Sequence, residues 1–119
     1  MKNSLKKSDV APLFKLKSSF KTRYFILKMR STEVGLARVS FAFSRHHGGA
    51  VARNRFKRRI RELVRAHLPL AYPSGGDVLC IAKANLNQLD EAQWKVERSR
   101  LVTLFENGQR VGSDPHRNL

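Results

Sequence analysis

The segment from Ala50 to His67 holds the residues whose chemistry says most. Arg53, Asn54, Arg55, Lys57, Arg58, Arg59, Arg61 and Arg65 crowd into it, and Glu62 is the one acid among them. A guanidinium is a planar fork of N–H donors that matches phosphate oxygens in pairs. Such a run can therefore recognise an anion, whereas it has no means of breaking a bond. Placed on a helix at about 100° per residue, Asn54, Arg58, Arg61 and Arg65 share one side, with Arg55 beside them. Phe56, Ile60, Leu63 and His67 share the other, with Val64 at its edge. Arg53, Lys57 and Arg59 lie at the borders, where long side chains can bend outward. Like charges at i, i+4 destabilise a helix by roughly a few tenths of a kcal/mol per pair. Solvated faces usually mix signs for that reason. A single-sign face implies an external counter-charge, and the pattern points to a polyanion. Gly48-Gly49 before the segment leaves helix N–H groups uncovered, ready to meet a phosphate.

The whole chain agrees with that segment. Its 119 residues suit one domain, and 24 Lys plus Arg against 9 Asp plus Glu give a formal net charge of +15. That field draws polyanions at long range: nucleic acid, an anionic membrane surface or acidic proteins. The polar, basic start from Met1 to Asp9 has no apolar stretch behind it, and no segment is long and apolar enough to span a bilayer. The expectation is a cytoplasmic protein with no membrane partner. The lone Cys80 cannot form an internal disulfide, which agrees. Catalytic residues are hard to assemble. His46-His47 lie at a strand end, His67 on an apolar face and His116 near the C-terminus, while the acids are scattered. No protein-only metal site is expected. Gly48-Gly49 and Gly75-Gly76 lack the Lys-Ser/Thr partner of a phosphate loop.

These residues need a scaffold. Ser8 or Asp9 is placed to cap a short helix carrying Leu13 and Phe14, and a further short strand fits around Ser18 to Phe20. Arg23 to Arg30 reads as a strand with Phe25, Leu27 and Met29 alternating with Tyr24, Ile26 and Lys28. Leu36 to Ser44 reads as another. Val39, Phe41 and Phe43 form its core face; Arg38, Ser40, Ala42 and Ser44 form a small, polar face that is solvated or leaves room for a ligand. The basic helix follows for about five turns and ends near Pro69. Asp77 to Lys83 is a short run in which Val78 to Ala82 is apolar on both faces, as a central, possibly parallel strand reads. Asp90 with Gln93 forms a capping box for a last helix whose stripe is Trp94, Leu101, Leu104 and Phe105. The expected fold is α/β (α+β), a two-layer sandwich on a small mixed sheet in the order α-β-β-(β)-α-β-α. Residues 1–7 are expected as a basic tail, 8–106 as the domain and 107–119 as a disordered tail.

One stretch is more specific than charge. Gly49-Ala50-Val51-Ala52-Arg53-Asn54-Arg55-Phe56-Lys57-Arg58-Arg59-Ile60-Arg61-Glu62 resembles the signature segment of the bacterial ribonuclease P protein component, which carries A-V-x-R-N-R-x-K-R-x-x-R-E after a glycine-containing turn. Phe14-Lys15, Arg23 with Phe25, Asp77 and Leu104-Phe105 also stand where that family has them, so the resemblance spans roughly residues 5–106. It implies a protein that partners a catalytic RNA in removing the 5′ leader of precursor tRNA, with magnesium held mainly by the RNA. It implies no catalytic residue in the protein, no obligate protein partner, and a left-handed crossover through the basic helix. Carried over by position, Arg53, Asn54, Arg55, Lys57, Arg58, Arg61, Arg65 and Arg45 would meet the RNA. Phe14, Phe25, Lys28, Arg38 and Ser40 would line a leader-binding cleft between the first helix and the sheet. Phe14 has two readings, core packing or base contact. Val10 and Lys28 depart from the family, which often has Phe at the first and can have an aromatic at the second, so the grip here leans toward phosphate charge. Ser44-Arg45-His46-His47 replaces Ser-Lys-Lys-x, which keeps one charge and makes the next pH-dependent. A ribosomal-type binding module and a major-groove DNA binder are the competing classes; the uniform Arg face, with only Asn54 as a polar base reader, argues against the second.

Overall fold

Two kinds of apolar run build the sheet. Phe25 to Ser31 buries alternate side chains, whereas Gly76 to Ala82 is buried almost throughout, so the second run must lie between neighbours. The structure is a computed structural model, and it describes residues 7–16 and 19–108. In chain order its elements are α1 (Lys7–Phe14), β1 (Phe20–Lys21), β2 (Phe25–Ser31), β3 (Ala37–Ala42), a 3-10 turn (Arg45–His47), α2 (Ala50–Ala71), β4 (Gly76–Ala82), a second 3-10 turn (Leu86–Gln88) and α3 (Glu91–Asn107). The strands form one mixed sheet in the order β1-β2-β4-β3. β4 runs antiparallel to β2, with Leu27 opposite Cys80, and parallel to β3, with Val39 opposite Val78. A parallel pair needs a long crossover, and α2 supplies it. The α+β fold and the central strand both match the expectation.

The main core lies between one sheet face and the two long helices. Phe25, Leu27 and Met29 from β2, Val39 from β3 and Val78 and Cys80 from β4 meet Phe56, Ile60, Leu63, Val64 and Leu68 from α2 and Trp94, Leu101 and Phe105 from α3. The stripe on α3 also contains a charge that its hydrophobic pattern hides. Glu97 is buried, and its Oε1 accepts from Thr22 Oγ1 at 2.6 Å and from the Tyr24 N–H at 3.2 Å, tying α3 to the β1–β2 turn. The Asp90–Gln93 capping box opens α3 as expected. The other sheet face is not bare. α1 rests on β2 and β4 there, with Leu13 and Leu79 both fully buried outside the main core. The architecture is thus two layers plus a short third one over half of the sheet.

Several boundaries differ from expectation, beginning with β2, which runs from Phe25 to Ser31 and not from Arg23, and β4, which runs from Gly76 to Ala82. β3 stops at Ala42, because Ser44 turns away to cap the 3-10 turn. α2 does not end near Pro69 but runs through it to Ala71. Proline removes one N–H bond, yet buried Leu68 and the Tyr72 N–H bond to the Leu68 carbonyl, 3.0 Å, hold the last turn closed. Lys7 already belongs to α1, so Ser8 and Asp9 fall within its first turn and not before it. Asn107 completes α3, and Gly108 donates its N–H back to Leu104 at 2.9 Å. Of the tails expected at 1–7 and 107–119, residues 1–6 and 109–119 lie outside the described residues.

Candidate nucleic-acid interface

α2 presents most of its arginines as the helical wheel required, Arg61 excepted. Asn54, Arg55, Arg58 and Arg65 are exposed, while Ala52, Phe56, Ile60, Leu63, Val64 and Leu68 are buried. Arg53, Lys57 and Arg61 are half-buried at the border toward β3, the edge strand. There Lys57 Nζ stands 6.0 Å from the centre of the Phe43 ring, and the Arg61 guanidinium stands 5.4 Å from that of Phe41. Stacking on a ring costs a cation little of its charge and fixes its direction. The cationic surface therefore continues from the outer face of α2 onto the β3 edge. Arg59 takes a different role: it lies over Phe56 and Trp94 and pairs with Glu91 of α3 at 3.0 Å, so its charge is spent within the fold. His67 Nδ1 lies within hydrogen-bond distance of Glu106 Oε2, 2.7 Å, at the α2–α3 seam.

The start of α2 is open. Gly49 is its N-cap and offers no side-chain cap, and no acid lies in the first turn. Gly48 has φ 118°, a conformation that favours glycine. Arg53 Nε donates to the Gly48 carbonyl at 3.1 Å, which folds the first basic side chain back over this turn. Uncapped N–H groups and the positive helix end together favour an anion. Just before it, Ser44 caps the 3-10 turn, with the Ser44 N–H donating to His47 Nδ1 at 3.1 Å. His47 is therefore structural, whereas Arg45 and His46 are exposed beside the α2 start.

The proposed cleft residues do not all reach one surface. Lys28, Arg38 and Ser40 lie half-buried on the sheet face that α1 partly covers. Lys28 Nζ donates to the carbonyls of Phe14 at 3.0 Å and Leu16 at 2.8 Å, so it ties the end of α1 to β2. Phe14 is 49% exposed at that end, which decides between its two readings: Leu13 is the core residue and Phe14 is not. Phe25 is a correction. It is 0% exposed and its ring lies 5.9 Å from Phe43, in the main core. Strand parity is the reason, since Phe25 and Lys28 are three residues apart and face opposite sides. The feature that sequence reasoning missed is beside them: Asp77, fully buried, accepts hydrogen bonds from both Arg30 and Arg38. Its signal was present, a lone acid opening an otherwise apolar strand.

The single cysteine is not an activated nucleophile. Burial, and then the charge of Glu97, push the Cys80 thiol well above its ordinary range, so it stays protonated and inert. Among the described residues no group of three His, Cys, Asp or Glu side chains is placed to hold a metal ion, and no helix is long and apolar enough to cross a membrane.

Comparison with known proteins turns a cationic surface into a family. A family model described as Ribonuclease P matches residues 2–107. The chain belongs to the bacterial ribonuclease P protein family. The ribonuclease P protein component of Natranaerobius thermophilus is 30% identical over 90 residues, 76% of this chain and 77% of that protein. The component of Citrifermentans bemidjiense is 35% identical over 80 residues, 67% of each chain. The solved RNase P protein from Thermotoga maritima has a TM-score of 0.68 at 27% identity, covering 88% of this chain and 96% of that one. The Staphylococcus aureus RNase P protein shares the fold, with a TM-score of 0.58 at 21% identity over 97% of this chain and 95% of that one. Membership makes the chain a subunit of an endoribonuclease, ribonuclease P, and associates it with that enzyme's RNA.

Proposed function

We propose that α2 docks this chain on the catalytic RNA of ribonuclease P, while the sheet face beside α1 holds the single-stranded 5′ leader of precursor tRNA. The single-sign face of α2 carries the reading, because Asn54, Arg55, Arg58 and Arg65 are exposed together beside an uncapped helix start. RNA phosphates supply the counter-charge that the helix lacks. The leader has a fitting surface in exposed Phe14, on which a base can stack, and in the cationic strip of Lys28 and Arg38. In this reading the RNA carries out the cleavage and holds magnesium, which keeps waters and phosphate oxygens as ligands. The protein's part is to neutralise phosphates and align the substrate, in the cytoplasm. The test is precursor tRNA cleavage by the RNA with and without the protein, across magnesium concentrations and leader lengths. The protein should lower the magnesium needed, and more so for longer leaders. Identical cleavage with and without protein at low magnesium would refute the assignment, whereas an effect blind to leader length would remove the cleft and spare α2.

A further inference from the structure

α3 sends its acids and its cations to different sides. All three acids are used within the fold. Glu91 pairs with Arg59 of α2, Glu106 lies 2.7 Å from His67, and buried Glu97 holds the β1–β2 turn through Thr22 and the Tyr24 N–H. The side of α3 that faces β1 keeps its positive charge. An open groove of about 410 Å³ runs there between the edge strand and the helix, lined by Lys21, Thr22, Ser99, Arg100, Thr103 and Leu104. No acid stands among them. Arg100 also borders a second groove of about 190 Å³, together with Arg23, Val96 and Glu97. The Glu97 carboxylate there directs an anion to the first groove.

Lys21, Arg23 and Arg100 are exposed. Among the described residues, Lys21 and Arg100 have no ion-pair partner, and Arg23 lies over the Tyr24 ring, 5.9 Å from its centre. Gathering like charges on one edge costs a compact fold stability unless an outside anion meets them. Exposed Val96, one helical turn before Arg100, adds apolar surface that a ribose or base can cover. The groove is also remote from the arginines of α2. β1 and β3 are opposite edges of the sheet, and three strand spacings set them about 14 Å apart. That exceeds the screening length of about 8 Å at physiological salt. Yet α3 and α2 pack on the same sheet face, with α1 on the other, so both cationic surfaces belong to one layer of the molecule.

We propose that the β1–α3 groove is a second docking surface for the RNA of ribonuclease P. Lys21 and Arg100 neutralise backbone phosphates of a segment other than the one held on α2. This surface requires the family's association with that RNA, and it stands apart from the leader assignment.

The experiment is filter binding of the catalytic RNA alone across a salt series. Lys21→Ala and Arg100→Ala should each lower the slope of log affinity against log salt by about 0.7–0.9, and the double variant by the sum. Their melting temperatures should not change. Lys95→Ala, on α3 but outside the groove, should leave the slope as it is. An iron chelate on Ser99→Cys should cut the RNA at positions other than those cut from Ala66→Cys on α2; Cys80 is buried and stays unlabelled. An unchanged slope in the double variant overturns the second surface, and a loss at Arg58→Ala in the same series then leaves the α2 assignment standing. A loss equal to that of Lys95→Ala, one shared set of cuts, or an effect that appears only with precursor tRNA bound also overturns it.

Discussion

Adjacent residues at the end of α1 have opposite environments, and that contrast separates stability from recognition. Leu13 is fully buried against the sheet, whereas Phe14 is half exposed beside Lys28. Truncating a buried leucine removes transfer energy and leaves a cavity, at a cost of about 2–5 kcal/mol. Leu13→Ala should therefore lower the urea midpoint clearly. Phe14→Ala should move stability by no more than about 0.5 kcal/mol, as for most surface changes, and should weaken binding of leader-bearing substrate by about 1–3 kcal/mol if a base stacks there. Affinity for mature tRNA should not change. A Phe14→Ala protein with unaltered leader affinity would leave the aromatic without a role. Sequence alone left both roles open for Phe14, because an apolar residue near a helix end serves either. It misplaced Phe25 for a different reason: position in a family pattern was followed where parity along β2 pointed to the core.

At the scale of elements, the helix that carries the arginines is aimed by its packing at both ends. Its start is fixed by the Gly48 turn and the Arg53 bond to the Gly48 carbonyl. Its end is fixed where β4 begins, and there the fit is tight. A Cβ on Gly76 would meet Tyr72 Cδ2 at 2.6 Å and Leu68 Cδ2 at 3.0 Å. Both neighbours are buried, so neither can swing away freely. Gly76→Ala should thus destabilise the protein by about 1–3 kcal/mol, the usual cost of overpacking, as read from thermal or urea unfolding. Once folded at low temperature, the variant should bind RNA nearly as before. An unchanged midpoint would show that the α2–β4 corner is looser than drawn. Much at this scale was legible. The 3.6-residue period of α2, the two-faced burial of Val78 to Ala82 and the Asp90–Gln93 box each follow from local rules that read one segment at a time. What escaped was long-range. Glu97 looks like an ordinary surface acid until Thr22 and Tyr24, more than 70 positions away, supply its donors. Asp77 likewise gains its meaning only when β2 and β3 bring Arg30 and Arg38 beside it. The continuation of α2 past Pro69 depends on the burial of Leu68 in the core, which no local rule reports.

For the whole molecule, a formal charge of +15 predicts affinity for any polyanion, and the question is whether binding is a general field effect or a docked surface. Salt distinguishes the two. Each phosphate neutralised contributes about 0.7–0.9 to the slope of log affinity against log salt. Exposed charges separated by more than about 8–10 Å are screened from one another at moderate ionic strength. Arg58 is exposed on α2, and Lys95 and Arg98 are exposed on α3. If α2 is the docked surface, Arg58→Ala should lower the slope by nearly one unit without loss of stability, whereas Lys95→Ala and Arg98→Ala should leave it unchanged. Arg61→Ala should lower the slope and also cost stability, since Arg61 covers Phe41 at the β3 edge. The full set of Arg53, Arg55, Lys57, Arg58, Arg61 and Arg65, at one phosphate each, would give a total slope of roughly −4 to −5. Equal losses from the α2 and α3 variants, measured by filter binding across a salt series, would mean that the protein holds RNA by its overall field. Unequal losses would locate the contact on the helix whose single sign is otherwise a cost to the fold.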